Sequence, residues 1–164
     1  MNYFSVNLDI GGDRYTRGDL CDLMGLDYKK IREDFEKGVY KAPRFSSIFI
    51  FSSIDNALSY YNRVIDDSTF LYSGTPSGYS DEYLTQHRVQ KNELLLFIRE
   101  DDFNDLGFLY FGRCELIGKF SLKKYFLPVY KLKLLETSFS LQKDIGIPIC
   151  GGVLTEFSQS RFVY

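Results

Sequence analysis

Short apolar runs alternate with turn-forming clusters along this chain, and the period of each run predicts its element. Tyr3–Ile10 alternates loosely and ends at Gly11-Gly12, the pattern of a strand and turn. Thr16-Arg-Gly-Asp19 opens a helix, with Thr16 as N-cap and Asp19 in the capping-box position. Leu20, Leu23 and Met24 share one face of it, and Gly25 ends it. Tyr28–Phe35 predicts a second short helix with Ile31 and Phe35 inward, broken by Gly38. Ser46–Ser52 is rich in Ile and Phe and reads as a central strand. Ala57–Ile65 fits two patterns: Leu58, Tyr61 and Ile65 lie on one helical face, whereas Tyr60-Tyr61 suits a strand.

Thr69–Ser73 predicts a short strand entering a Ser/Gly/Pro loop, with Tyr83–Arg88 pairing back and a turn at Lys91-Asn92. Glu93–Arg99 and Gly107–Cys114 form a hairpin across the acidic turn Glu100–Asp105, followed by a short element at Lys119–Leu122. Pro128–Leu135 alternates into a basic, aromatic face and an apolar face. Leu141–Tyr164 reads as extended segments across turns at Gly146, Pro148 and Gly151-Gly152. Helices near the N-terminus and many short strands predict an α+β fold built on a curved, mostly antiparallel sheet or partly closed barrel. At 164 residues the chain is expected to be a single domain, 1–164, with 136–164 as a C-terminal extension packing on it.

Composition sharpens this picture in two places. Aromatic residues make up 17%, as 15 Phe and 13 Tyr with no Trp. A buried Tyr hydroxyl must find a partner, so the excess of Tyr predicts that many line a surface or groove. The net charge of −2 announces no nucleic-acid partner, yet six basic residues face one acid between Arg113 and Lys133. Such a stretch suits either a lysine-blunted strand edge or a phosphate-tracking face. Three widely spaced cysteines give no zinc or disulfide pattern. With no apolar leader and no run long enough to span a bilayer, the expectation is a cytoplasmic chain without a membrane.

The chemistry-bearing residues point to recognition more than to catalysis. His87 is the sole histidine, and the favoured reading is a surface or hydrogen-bonding role rather than a general base for Ser73, Ser77 or Ser80. Gly74-Thr-Pro-Ser-Gly78 lacks the Gly-Lys-Ser/Thr of a phosphate loop, and the paired acids suit turns. No cofactor, metal or catalytic residue is assigned. Tyr40, Phe51, Tyr72, Tyr79 and Tyr110 are core residues or the walls of a cage that stacks an extruded base, with Ser73 or Asp81 bonding its polar edge. Arg17 and Arg99 pair with acids or meet phosphates, and Arg44, Arg88, Lys123 and Lys124 are further basic candidates for phosphate contact.

Three fragments in this order carry a family resemblance: Tyr15-Thr-Arg17; Ile48-Phe-Ile-Phe51; and Leu71-Tyr-Ser73 with Leu96-Phe-Ile-Arg99 and Phe108-Leu-Tyr-Phe-Gly112. Together with Pro128-Val-Tyr130, they resemble the SRA/PUA-like specificity modules of modification-dependent restriction systems, among them the helicase-linked domain DUF3427. The resemblance spans about 15–135. It implies a reader that takes a modified base, 5-methylcytosine or 5-hydroxymethylcytosine, from double-stranded DNA. It places Tyr72, Ser73, Tyr79, Asp81 and Arg99 near the pocket and Lys123 and Lys124 near phosphate, with a nuclease or helicase effector in cis or trans. The competing expectations are a protein-interaction adaptor of a phage or defence system, since Tyr is enriched at interfaces, and an enzyme on a nucleotide or ADP-ribose.

Overall fold

The computed structural model describes residues 2–10, 14–35, 37–53, 62–73, 81–99, 107–122, 127–136 and 157–158. Its strands are β1 (Val39–Lys41), β2 (Ser47–Ser53), β3 (Arg63–Asp66), β4 (Thr69–Ser73), β5 (Glu93–Arg99), β6 (Leu109–Leu122), β7 (Leu127–Leu134) and β8 (Phe157–Ser158). They form one sheet in the order β1-β2-β5-β6-β7-β4-β3, with β8 paired to the end of β6. The β2–β5 pair is parallel and the others are antiparallel.

The predicted curvature has a source in β6. Leu96 faces Gly112 while Phe97 faces Tyr110, leaving Phe111 as an extra residue. Leu116 faces Leu132 while Gly118 faces Lys131, leaving Ile117 as a second. Each bulge bends and twists the strand, so the sheet curls. It curls far enough that Tyr72 on β4 reaches Gly38, which precedes β1 at the other end of the strand order. Among the described residues no ladder joins β3 to β1, so the barrel stays open.

Strand alternation then sorts the core into two main layers. Inside the curl lie Ile48, Ile50, Leu94, Leu96, Ile98, Phe70, Tyr72, Tyr130, Leu132 and Leu134, with Leu84. Outside β1, β2, β5 and β6 lies an aromatic layer of Phe4, Phe35, Tyr40, Phe49, Phe51, Phe97, Phe108 and Tyr110. Helices α1 (Arg17–Met24) and α2 (Tyr28–Phe35) contribute to it, for example through Phe35, whose ring centroid is 4.5 Å from Tyr40 and 5.1 Å from Phe51. The expected capping box is present: Thr16 Oγ1 accepts from the Asp19 amide at 3.0 Å, and the Asp19 carboxylate accepts from the Thr16 amide at 2.9 Å. Such a cap is worth about 1 kcal/mol.

Five expectations change. Tyr3–Ile10 is not a strand; Phe4–Asn7 forms a 3-10 turn. Side chains claim its amides, with Phe4 N–H donating to Ser47 Oγ and Ser5 N–H to Glu93. Tyr83–Arg88 does not pair back; Asp81–Thr85 is a short helix, α3, whose Leu84 enters the interior. The element at Lys119–Leu122 is the end of a 14-residue β6. Tyr130 belongs to the apolar face of β7 with Leu132 and Leu134, because its neighbours Val129 and Lys131 alternate to the other side. Lastly, Tyr40, Tyr72, Tyr110 and Tyr130 are all buried, so much of the Tyr excess builds core rather than surface. No helix among the described residues is long and apolar enough to cross a membrane.

Candidate functional site

The C-terminal ends of β2 and β4 are far apart in the strand order yet meet in space. Asn62 Nδ2 donates to the Ser53 carbonyl at 3.2 Å, and Asn62 Oδ1 accepts from the Ser73 amide at 3.0 Å. Arg99, at the end of β5, donates from Nε to Ser53 Oγ at 2.8 Å. Three strand ends are therefore pinned together by side chains.

Inside this junction lies an aromatic pair with a polar flank. The rings of Tyr72 and Tyr130 are stacked with centroids 6.5 Å apart. Tyr130 Oη donates to Asp81 Oδ1 at 2.9 Å, and Lys119 Nζ contacts the same carboxylate oxygen. The Lys119 ammonium also stands 5.8 Å from the Tyr130 ring centroid. One carboxylate thus neutralises a half-buried cation and satisfies a buried phenol, as a low-dielectric interior requires.

The outer flank is cationic. Phe108 carries the Arg99 guanidinium at 4.6 Å from its centroid and the Arg17 guanidinium at 5.1 Å. Arg17 also lies 5.4 Å from the Phe51 ring. Thr16, Gly18, Tyr28 and Gly107 complete a cavity of about 330 Å³ with Arg17, Arg99 and Phe108. The start of α1 is held here because Tyr15 and Phe108 exchange backbone hydrogen bonds, each 2.8 Å. Planar guanidiniums stacked on an aromatic surface are pre-organised for bidentate contact with a phosphate or carboxylate.

The family model described as "Domain of unknown function (DUF3427)" matches residues 10–147. The chain belongs to the DUF3427 family. Among solved structures, the SUVH5 SRA–methylated CHH DNA complex is similar at a TM-score of 0.57 and 12% identity, covering 86% of this chain and 98% of that one. The SUVH5 SRA–hemimethylated CG DNA complex is similar at 0.56 and 13%, covering 92% and 98%. This DUF3427 chain therefore has an SRA-like fold, as its motifs implied. Comparison with curated proteins gives no match.

On this DUF3427 fold the sequence-predicted residues separate into groups. Tyr72 and Asp81 meet around Tyr130 in the inner layer. Ser73 is joined to Arg99 through Asn62 and Ser53, and Arg17 and Arg99 both lie against Phe108 of the outer layer. Tyr40, Phe51 and Tyr110 sit in the outer aromatic layer, on the opposite face of the sheet from Tyr72. Alternation along β2 sends Phe51 outward, where it lies beside Phe108 and Arg17 rather than beside Tyr72. Arg44 and Arg88 lie toward the other end of β2 and β5. Arg44 is in the β1–β2 turn, and Arg88 pairs with Glu115 at 3.1 Å. Tyr79, Lys123 and Lys124 lie outside the described residues. Asn62, Phe108, Lys119 and Tyr130 were not singled out as site residues; for Tyr130 the alternation with Leu132 and Leu134 was the available signal.

His87 is a hydrogen-bonding residue but not a surface one. Its Nδ1 pairs with the Asn92 carbonyl at 3.1 Å, and its Nε2 accepts from the Leu116 amide at 3.3 Å. Burial lowers its pKa below the ordinary 6.5. The folded protein thus keeps His87 neutral where an unfolded chain takes a proton. Its contribution to stability is present above pH 6.5 and is lost as pH falls below that value. We expect denaturation midpoints between pH 7.5 and about 5 to fall more steeply for the parent than for His87→Gln. Parallel slopes for the two proteins would show that His87 does not titrate in this way.

Proposed function

We propose that this chain is a DNA-binding specificity module that recognises a modified base, 5-methylcytosine or 5-hydroxymethylcytosine, by drawing it out of the duplex against an aromatic ring. The reading rests on one observation above the rest: the SRA-like fold, whose solved examples here are complexes with methylated DNA. Extrusion costs a few kcal/mol, which stacking and edge hydrogen bonds must offset. Tyr72, backed by Tyr130, is the stacking surface in this reading, and Ser73 and Asp81 supply polar contacts. Arg17 and Arg99 take phosphate, supplying affinity without sequence information. The module binds without catalysis, serving a nuclease or helicase effector; both ring nitrogens of its sole histidine are committed to the backbone.

The test is fluorescence anisotropy with matched duplexes carrying cytosine, 5-methylcytosine or 5-hydroxymethylcytosine at two salt concentrations. We expect selective binding that weakens steeply with salt. Arg17→Gln and Arg99→Gln should each weaken all duplexes alike and reduce the salt slope by about 0.9. Unchanged slopes would remove both arginines from the phosphate contact.

A protein-interaction reading has its own support. A cavity of about 700 Å³ lies toward the other end of β5, lined by Tyr3, Val6, Leu135, Arg113 and Glu136 among others. Val6 is 82% and Leu135 47% exposed there. A salt-insensitive complex with a protein, with no duplex bound even at low salt, would decide for it.

A further inference from the structure

Ser52 is the sixth residue of β2, and alternation with Ile48 and Ile50 directs its side chain into the interior of the curl. It is 3% exposed, and among the described residues its Oγ has no hydrogen-bond partner. A buried hydroxyl without a partner is costly, and such groups call for an explanation. Its position supplies one. A Cβ built on Gly38 would lie 2.7 Å from Tyr72 Oη and 3.8 Å from the Phe51 carbonyl oxygen, so the tip of Tyr72 lies beside the Phe51–Ser52 peptide. The next residue, Ser53, is tied through Asn62 to Ser73, the neighbour of Tyr72. Two separate links thus hold the β2 backbone at Ser52 close to the end of β4 that carries Tyr72, and both side chains belong to the inner face.

We infer that Ser52 Oγ is a specificity-determining group, held open for a hydrogen-bonding group of the base taken up at Tyr72. The inference rests on the reader function proposed above. A hydroxyl both donates and accepts, so it suits either the hydroxyl of a 5-hydroxymethyl substituent or a polar atom of the pyrimidine edge. A site whose hydroxyl awaits a partner disfavours a ligand that buries it against apolar surface alone.

The experiment pairs Ser52→Ala with the parent protein in two measurements. In thermal unfolding without DNA, Ser52→Ala should melt at or above the parent temperature, because no hydrogen bond is lost. A clear drop in melting temperature would show that the hydroxyl is already bonded in the free protein and would overturn the inference. In anisotropy titrations, Ser52→Ala should weaken binding to a modified duplex by about 3–10-fold, the loss of one hydrogen bond. A loss confined to 5-hydroxymethylcytosine identifies the substituent as the partner, and an equal loss on 5-methylcytosine identifies the base edge. Parent-like affinity of Ser52→Ala for every modified duplex sinks this inference alone. Failure of the parent to bind any duplex sinks the reader function and this inference with it.

Discussion

Gly107→Ala should lower the melting temperature by about 6–12 °C, the equivalent of roughly 3 kcal/mol in a domain of this size. Gly107 has φ +97°, and a Cβ there would lie 2.8 Å from the Tyr15 carbonyl carbon and oxygen and 2.9 Å from the Thr16 nitrogen. These are atoms of the Tyr15–Thr16 peptide, between the exchange that pins Tyr15 to Phe108 and the capping box, and they have no rotamer to yield with. Relief of the clash must displace either the start of α1, with Arg17, or the start of β6, with Phe108. DNA affinity should therefore fall together with stability. Gly25→Ala is the control: it has φ +71° with nothing within 4 Å of the new Cβ, so only backbone strain of about 1 kcal/mol remains. Calorimetric melting temperatures that coincide for the two variants would show that the Tyr15–Phe108 junction absorbs a methyl group freely.

Tyr72→Ala should collapse discrimination between modified and plain duplexes by about 5–100-fold, the value of one base–aromatic stack. Tyr72 also fills the interior, so the same change costs about 3 kcal/mol of stability, and titrations belong at a temperature where the variant is folded. Tyr72→Phe keeps the ring and should keep the ratio. A folded Tyr72→Ala that still discriminates like the parent would remove the ring from recognition. The arginine variants should move absolute affinity with the ratio intact, so the two effects separate on one set of duplexes.

How far these sites could be read from sequence depended on the range of the interaction. The capping box at Thr16 and Asp19, helix α2, the β5–β6 hairpin and the turn at Lys91 are set within a few residues, and their patterns announced them. The extent of β6 was hidden because Gly112 and Gly118 look like breaks, whereas both sit beside bulges in a continuous strand. Helix α3 was hidden because Tyr83, Leu84 and Thr85 suit a strand; the acids Asp81 and Glu82 in its first turn were the contrary signal. Tyr72, Ser73, Asp81 and Arg99 stood out beside a Ser/Gly loop and at a strand end. Asn62, Lys119 and Ser52 acquire meaning only when the sheet curls and brings β2 against β4, which no local pattern reports. Tyr40, Phe51 and Tyr110 read equally as core or as cage walls, and they lie in the outer aromatic layer: the residue types that stack on a base also pack a helix against a sheet.

The strand order also dictates when this protein can assemble as it leaves the ribosome. Ser47 must wait for Glu93 before β2 gains its parallel partner, and Thr69 must wait for Lys133 before β4 joins the sheet. Until then the nascent chain holds only the isolated ladders β1–β2 and β3–β4, with the Ile and Phe faces of β2 uncovered. Two-stranded ladders of this length are marginal in water. Emergence of β6 and β7 is thus the committing step. A pause placed between residues 73 and 93 should leave a chain sensitive to protease and dependent on chaperones, and one placed well after residue 134 should not.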